Sequence, residues 1–320
     1  MKGEGMNAII AVSGLSKRYR GVEALTDLSL EVAAGSVFGF LGPNGAGKTT
    51  ALKILAGLTR ASAGSATIDG VPVSVQGDHR ARIGYLAQEP SFYGWMSGRQ
   101  TLAYVASFHA TEGAGTRIDE LLELVGLTGA ADRPTKTYSG GMRQRLGIAQ
   151  ALVGDPAVLL LDEPAASLDP IGRHDVLGLM QQLRGDDKTI FYSTHILDDV
   201  QRVSDHVAIL DRGRLVTSAA TAELVKASDS GTVRVALSGA AGSREAALAA
   251  LPGVTLVSPA GQDGPEWRYD ITVGDGRTAE VQRAVTRYAA QAGLTVLSSR
   301  EESLDLEDVF LRIVDQERAA

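Results

Sequence analysis

Along the first two thirds of the chain, short apolar runs ending in Gly-marked turns alternate with stretches of helical spacing. Six runs have the length and composition of strands: Ala8 to Val12, Gly35 to Leu41, Arg82 to Leu86, Ala157 to Leu161, Thr189 to Ser193 and His206 to Leu210. Several are apolar almost throughout, as strands covered on both faces must be. Their alternation with helices predicts an α/β architecture around a largely parallel sheet. Val207 to Thr217 reads instead as a hairpin turning near Arg212-Gly213. Between Ser97 and Leu152 the strand pattern stops and helical spacing takes over, including Leu121, Leu122, Leu124 and Val125. That block, residues 97–152, is expected to be a helical subdomain inserted in the α/β core.

A short helix at Thr221 to Ala227 and the polar stretch from Ser228 to Gly231 close this pattern. Beyond them lysine is absent and the expected order is strand Thr232–Leu237, helix Ser243–Leu251, strand Val254–Ser258, strand Glu266–Val273, helix Thr278–Ala292, strand Leu294–Ser298 and helix Leu304–Val314. The first six elements run β-α-β-β-α-β, the order of a split βαβ, ferredoxin-like α+β sandwich. The expected domains are therefore residues 1–227 and 228–320.

Composition narrows the function classes. The net charge is −7, from 31 basic and 38 acidic residues, and −5 of it falls in residues 228–320. A general nucleic-acid binder needs surplus positive charge to displace counterions, so nucleic acid is not an expected partner. With no cysteine there is no disulfide framework, thiol nucleophile or thiolate zinc site, which fits a reducing interior. Met1 to Asn7 lacks the basic stretch and apolar run of an export signal, and no run approaches the ~20 apolar residues that span a bilayer. Any work at a membrane is expected to be done from the aqueous side.

The chemistry concentrates in a few motifs. Gly42, Pro43, Asn44, Gly45, Ala46, Gly47, Lys48 and Thr49, followed by Thr50, come after the apolar strand Val37 to Leu41 and open a helix carrying Ala51, Leu52, Ile54 and Leu55. In that strand, glycine loop, helix context, backbone N–H groups and the helix N-terminus cradle phosphate oxygens. Lys48 is placed to reach the β- and γ-phosphates and the Thr49 hydroxyl to ligate Mg²⁺. Farther on, Asp162 and Glu163 emerge from the carboxyl end of a buried strand, where open α/β sheets place their ligand crevice. Asp162 suits a direct or indirect Mg²⁺ partner, and Glu163 is placed to polarise an attacking water.

Tyr138-Ser139-Gly140-Gly141-Met142-Arg143-Gln144-Arg145 lies about twenty residues before the Asp-Glu pair. A Ser-Gly-Gly turn opening a helix is a second anion site. This segment resembles the signature motif of the ATP-binding-cassette (ABC) ATPases. The family's other motifs arrive in order: Tyr19 before the glycine loop, Gln88 in Tyr85-Leu-Ala-Gln-Glu89, Ser167-Leu168-Asp169 after the Glu, and Ser193-Thr194-His195 closing a later strand. The resemblance covers residues 8–225 as a P-loop nucleotide-binding domain. It implies that Tyr19 stacks on adenine, that Gln88 reaches Mg²⁺ and the attacking water, and that His195 contacts the γ-phosphate. Two positions depart from the family's usual residues: Met142 stands where Gln is usual, and Ala165-Ala166-Ser167 where Thr-Ser-Gly is commoner.

The resemblance further implies that Ser139, Gly140, Gly141 and Asp169 act in trans. Two ATP molecules would then be sandwiched between two copies of the chain arranged head to tail. It implies a separate integral membrane permease, and a location peripheral to the cytoplasmic face of the inner membrane. Leu304-Asp-Leu-Glu-Asp-Val-Phe-Leu-Arg312, after the split βαβ unit, resembles the extension of drug- and antibiotic-efflux ABC ATPases of bacteria and ranks an exporter ahead of an importer. A soluble ABC mechanoenzyme is a third reading. Phe92, Tyr93 and Trp95 are expected either to pack the helical subdomain or to line a groove for a permease helix.

Overall fold

The computed structural model describes residues 8–109, 114–166, 168–185, 188–227, 229–239, 244–274 and 277–303. These fall into two units, one running to Ala222 and the other starting at Glu223.

In the first unit β1 (Ala8–Tyr19) and β2 (Val22–Ala33) form a long antiparallel pair, after which β3 (Val37–Leu41) enters a second sheet and feeds α1 (Lys48–Leu55). β4 (Ala63–Ile68) and β5 (Val71–Pro72) return to the first sheet, giving the antiparallel order β2-β1-β4-β5. β6 (Ile83–Leu86) is followed by three helices, α2 (Gly98–Ala106), α3 (Ala114–Leu124) and α4 (Gly140–Leu152). Then come β7 (Val158–Asp162), α5 (Pro170–Gly185), β8 (Thr189–Thr194), α6 (Leu197–Val203), β9 (His206–Asp211) and β10 (Arg214–Ala220), and α7 (Thr221–Ala227) starts in this unit and ends in the next. The second sheet has the order β10-β9-β3-β8-β7-β6 and is parallel except for the β9–β10 hairpin.

The apolar runs are apolar because both faces of this sheet are covered. Val37, Leu159, Leu161, Ile190 and Tyr192 pack into a core shared with α2, α3, α4 and α5. Phe38, Phe40, Val158, Leu160 and Phe191 alternate to the other face, against α1 and the antiparallel sheet, with the Phe38 and Phe191 rings stacked at 5.4 Å. β2, β4 and β5 are not among the six expected strands. In β2 the buried residues Leu25, Leu28, Leu30 and Val32 skip one position at Asp27, whose φ is +52°, and such a bulge breaks the two-residue alternation.

The second unit comprises β11 (Asp229–Ser238), α8 (Glu245–Ala249), β12 (Val254–Asp263), β13 (Glu266–Val273), α9 (Thr278–Gln291) and β14 (Thr295–Ser303). Its antiparallel sheet has the order β12-β13-β11-β14. Val233, Val235, Leu237, Tyr269 and Ile271 bury one face of it together with Leu248 of α8 and Val281, Val285 and Ala289 of α9. The helix expected over Leu304–Val314 lies outside the described residues.

Candidate functional site

Strand β3 delivers the glycine loop to the carboxyl end of the parallel sheet, and close neighbours fix its shape. A Cβ on Gly42 would lie 2.3 Å from the Leu210 carbonyl oxygen, and one on Gly47, at φ +107°, 2.4 Å from that of Ala24. The Gly213 N–H donates to the Ala46 carbonyl at 2.9 Å, and the Gly213 carbonyl accepts from Thr26 N–H at 2.8 Å, so the β9–β10 turn buttresses the loop from behind. Pro43, Asn44 and Gly45 form the exposed crest, and Thr50 continues the helix behind Thr49. Helix α1 begins at Gly47 with no side-chain cap and no acidic residue in its first turn. Its leading N–H groups and partial positive charge are left for an anion.

Five of the expected residues converge below this loop. Lys48, only 5% exposed, donates through Nζ to the carbonyls of Gly42 (2.6 Å) and Pro43 (3.2 Å) and lies 3.3 Å from Glu163 Oε1. Thr49 Oγ1 donates to Asp162 Oδ1 at 3.1 Å, and Ser193 Oγ donates to the same oxygen at 2.7 Å. Burial raises the Asp162 carboxyl above the usual range, and these two hydroxyl donors oppose the rise. Glu163, 6% exposed, stands at φ +49°, and its N–H donates to Ser193 Oγ at 2.9 Å. His195 Nδ1 lies 2.8 Å from Glu163 Oε2. Burial, with the charge of Asp162, pushes the phenol of Tyr85 up to about 12.

The remaining expected residues are not hydrogen-bonded to this cluster. Gln88, Gly140, Arg143, Gln144, Glu163 and Leu168 line a cleft of about 360 Å³. Ser139 caps α4, its hydroxyl accepting from Met142 N–H at 3.2 Å, and both Ser139 and Gly140 are exposed. Around Gly140 nothing lies within 4 Å of a Cβ position, and around Gly141 only Leu168 does, at 3.7 Å. Asp169 is exposed and accepts from Gly172 N–H at 2.7 Å, capping α5. Tyr19 ends β1 with 41% of its surface exposed and the Lys17 ammonium 4.7 Å from its ring centroid. Phe92 packs half-buried on the helical core, whereas Tyr93, Trp95, Tyr104 and Phe108 are exposed; the Tyr93 ring centroid lies 5.9 Å from that of Trp95 and 6.1 Å from that of Tyr104, which lies 5.2 Å from that of Phe108.

The family description of ABC transporters matches residues 25–166. The daunorubicin/doxorubicin resistance ATP-binding protein DrrA of Streptomyces peucetius is 36% identical over 312 residues, covering 95% of this chain and 92% of that protein. The chain belongs to the ABC transporter ATP-binding proteins. An uncharacterized ABC transporter ATP-binding protein of Synechocystis is 44% identical over 225 residues, 66% of this chain and 62% of that relative's own length. Among solved structures, cbiO1 of Clostridium perfringens, part of the ABC transporter complex cbiONQ, is 30% identical with a TM-score of 0.62, over 68% of this chain and 90% of that one. A dimeric post-hydrolysis cassette, MJ0796 bound to ADP and Pi, shares the fold at 24% identity and a TM-score of 0.61, over 66% of this chain and 98% of that one.

As an ABC ATPase the chain binds and hydrolyses ATP. Asp162 Oδ2 is buried without a partner, and with Thr49 Oγ1 it offers the hard oxygen donors that suit Mg²⁺. Among the described residues no group of three or more His, Cys, Asp or Glu could hold a metal ion. Met142, one of the two departures from the family's usual residues, packs its half-buried side chain on the helical core. Sequence reasoning assigned no role to Ser193, although its hydroxyl bridges the two acidic residues.

Proposed function

We propose that this chain is the ATP-hydrolysing subunit of an exporter, acting as a homodimer on the cytoplasmic face of the plasma membrane beneath separately encoded permease subunits. The observation that carries this reading is that Ser139 and Gly140 stand exposed and Gly141 half-buried at the start of α4, unbonded to the Lys48, Glu163 and His195 cluster of their own chain. Each signature turn then serves the triphosphate held by the other copy, with Asp169 crossing nearby. Tyr19 stacks on adenine, and Gly42 to Thr50 with Lys48 hold the phosphates. Thr49, Asp162 and Gln88 are the residues that would hold Mg²⁺, which when bound offsets phosphate charge.

Hydrolysis follows from the cluster. The triphosphate draws Lys48 and His195 away from the Glu163 carboxylate. Glu163 takes a proton from water as the water oxygen attacks the γ-phosphorus, and the bond from that phosphorus to the bridging oxygen breaks to release ADP and phosphate. Losing the γ-phosphate removes the bridge between copies, and the dimer reopens.

Export is favoured because the likeness to the daunorubicin/doxorubicin resistance protein extends through the C-terminal unit. No helix among the described residues is long and apolar enough to cross a membrane, so the path lies in the permease, docked on the exposed ladder Tyr93, Trp95, Tyr104 and Phe108. The C-terminal unit is taken as a ferredoxin-like sandwich, supported by its strand order and by α8 and α9 sharing one core.

Glu163→Gln tests the sandwich. With ATP the variant is expected to accumulate as a dimer by light scattering; a variant that binds ATP and stays monomeric overturns the reading.

A further inference from the structure

We propose that Ser193 is a positioning residue for hydrolysis: its hydroxyl fixes the backbone turn that aims the Glu163 carboxylate. The inference rests on the reading of Glu163 as the residue that polarises the attacking water.

Two successive residues of an extended strand point to opposite faces. Asp162 and Glu163 nevertheless meet the same loop, one through Thr49 and the other through Lys48. The backbone achieves this by leaving the strand at Glu163 with φ +49°, a region that a residue with a Cβ enters only at an energetic cost. Such a conformation persists only where its surroundings over-determine it. Here Lys48 and His195 hold the side chain, and one buried hydroxyl holds the N–H of the turn. Ser193 Oγ accepts from the Glu163 N–H at 2.9 Å and donates its proton to Asp162 Oδ1 at 2.7 Å. Ser193 is fully buried, so no water takes over either bond when the hydroxyl is removed. Its neighbour two residues on, His195, touches the other end of the Glu163 side chain at 2.8 Å, so strand β8 and the residue just past its end grip Glu163 at both backbone and carboxylate.

The test compares Ser193→Ala and Ser193→Cys in the full chain, alone and in a Glu163→Gln background. Steady-state and single-turnover hydrolysis, affinity for a fluorescent ATP analogue with and without Mg²⁺, and melting temperature are the readouts. Cysteine keeps the volume and gives up the hydrogen-bond geometry. Both single variants are expected to lose at least about 10-fold in kcat with affinity and KM within about 2-fold of wild type. In the Glu163→Gln background they are expected to remove little of the residual single-turnover rate, because both changes act on one group. Wild-type kcat in both single variants overturns the proposal. So does a fall in kcat matched by falls in affinity and melting temperature, or a full additive loss in the double variants. If Glu163→Gln itself turns over at the wild-type rate, the reading of Glu163 fails instead.

Discussion

Glu163 is held by two basic side chains at once, Lys48 at 3.3 Å and His195 at 2.8 Å, in a setting where its own surface is 6% exposed. On the proposed reading both partners are groups that a triphosphate would claim. Its neighbour Asp162 faces the opposite difficulty. Burial holds that carboxyl above its ordinary 3.8, and one of its oxygens has no partner. The folded chain therefore binds this proton more tightly than the unfolded chain. Ionised Asp162 detracts from stability once the pH has risen through the raised value, and the penalty is gone below pH 3.8. Asp162→Asn without nucleotide is expected to melt higher than wild type at pH 7, with the gap closing as the pH falls toward 3.8, while hydrolysis is lost. Scanning calorimetry over that range checks it, and a lower melting temperature at pH 7 would contradict the assigned burial cost.

At the scale of elements, α5 begins at the Asp169 cap and α6 begins just past His195, and Arg173 ties them together through Asp198 and Asp199. Arg173 Nε donates to Asp199 Oδ1 at 2.6 Å, and the Asp199 side chain is 2% exposed. Removing the cation strands a buried carboxylate. Arg173→Ala is expected to cost about 3 kcal/mol of unfolding free energy, read from the urea midpoint at constant slope, and an unchanged midpoint would refute it.

Elements with a local signature were legible before the fold was known. The glycine loop is one. The hairpin at Arg212-Gly213 is another, since its turn has two successive positive φ values, +46° and +80°, and Gly takes the second at no steric cost. β2 was not legible, because its bulge at Asp27 is made by pairing with β1. The site divided in the same way. Lys48, Asp162 and Glu163 carry their chemistry in their motifs, but the part played by Ser193 exists only where β8 lies beside β7. Phe92 and Tyr93 are adjacent aromatics in sequence, and only packing lays one half-buried against the core and leaves the other outside.

For the whole molecule the exposed ring ladder is the feature that a lone copy does not explain. Trp95 and Phe108 are each 71% exposed, far more than side chains of their size need to be if they served only the helical core. Replacing both with alanine is expected to leave ATP hydrolysis by the isolated chain within about 2-fold, since neither touches the phosphate loop, but to abolish recovery of permease from detergent-solubilised membranes. Intact recovery and intact transport would remove the ladder from the docking surface.

The buttress behind the phosphate loop carries a consequence for synthesis. Residues 42–47 lean on Leu210 and Gly213, more than 160 positions downstream. A ribosome that has released the glycine-rich segment has therefore made its letters without its rear wall. Triphosphate capture is therefore expected to await the emergence of the β9–β10 turn.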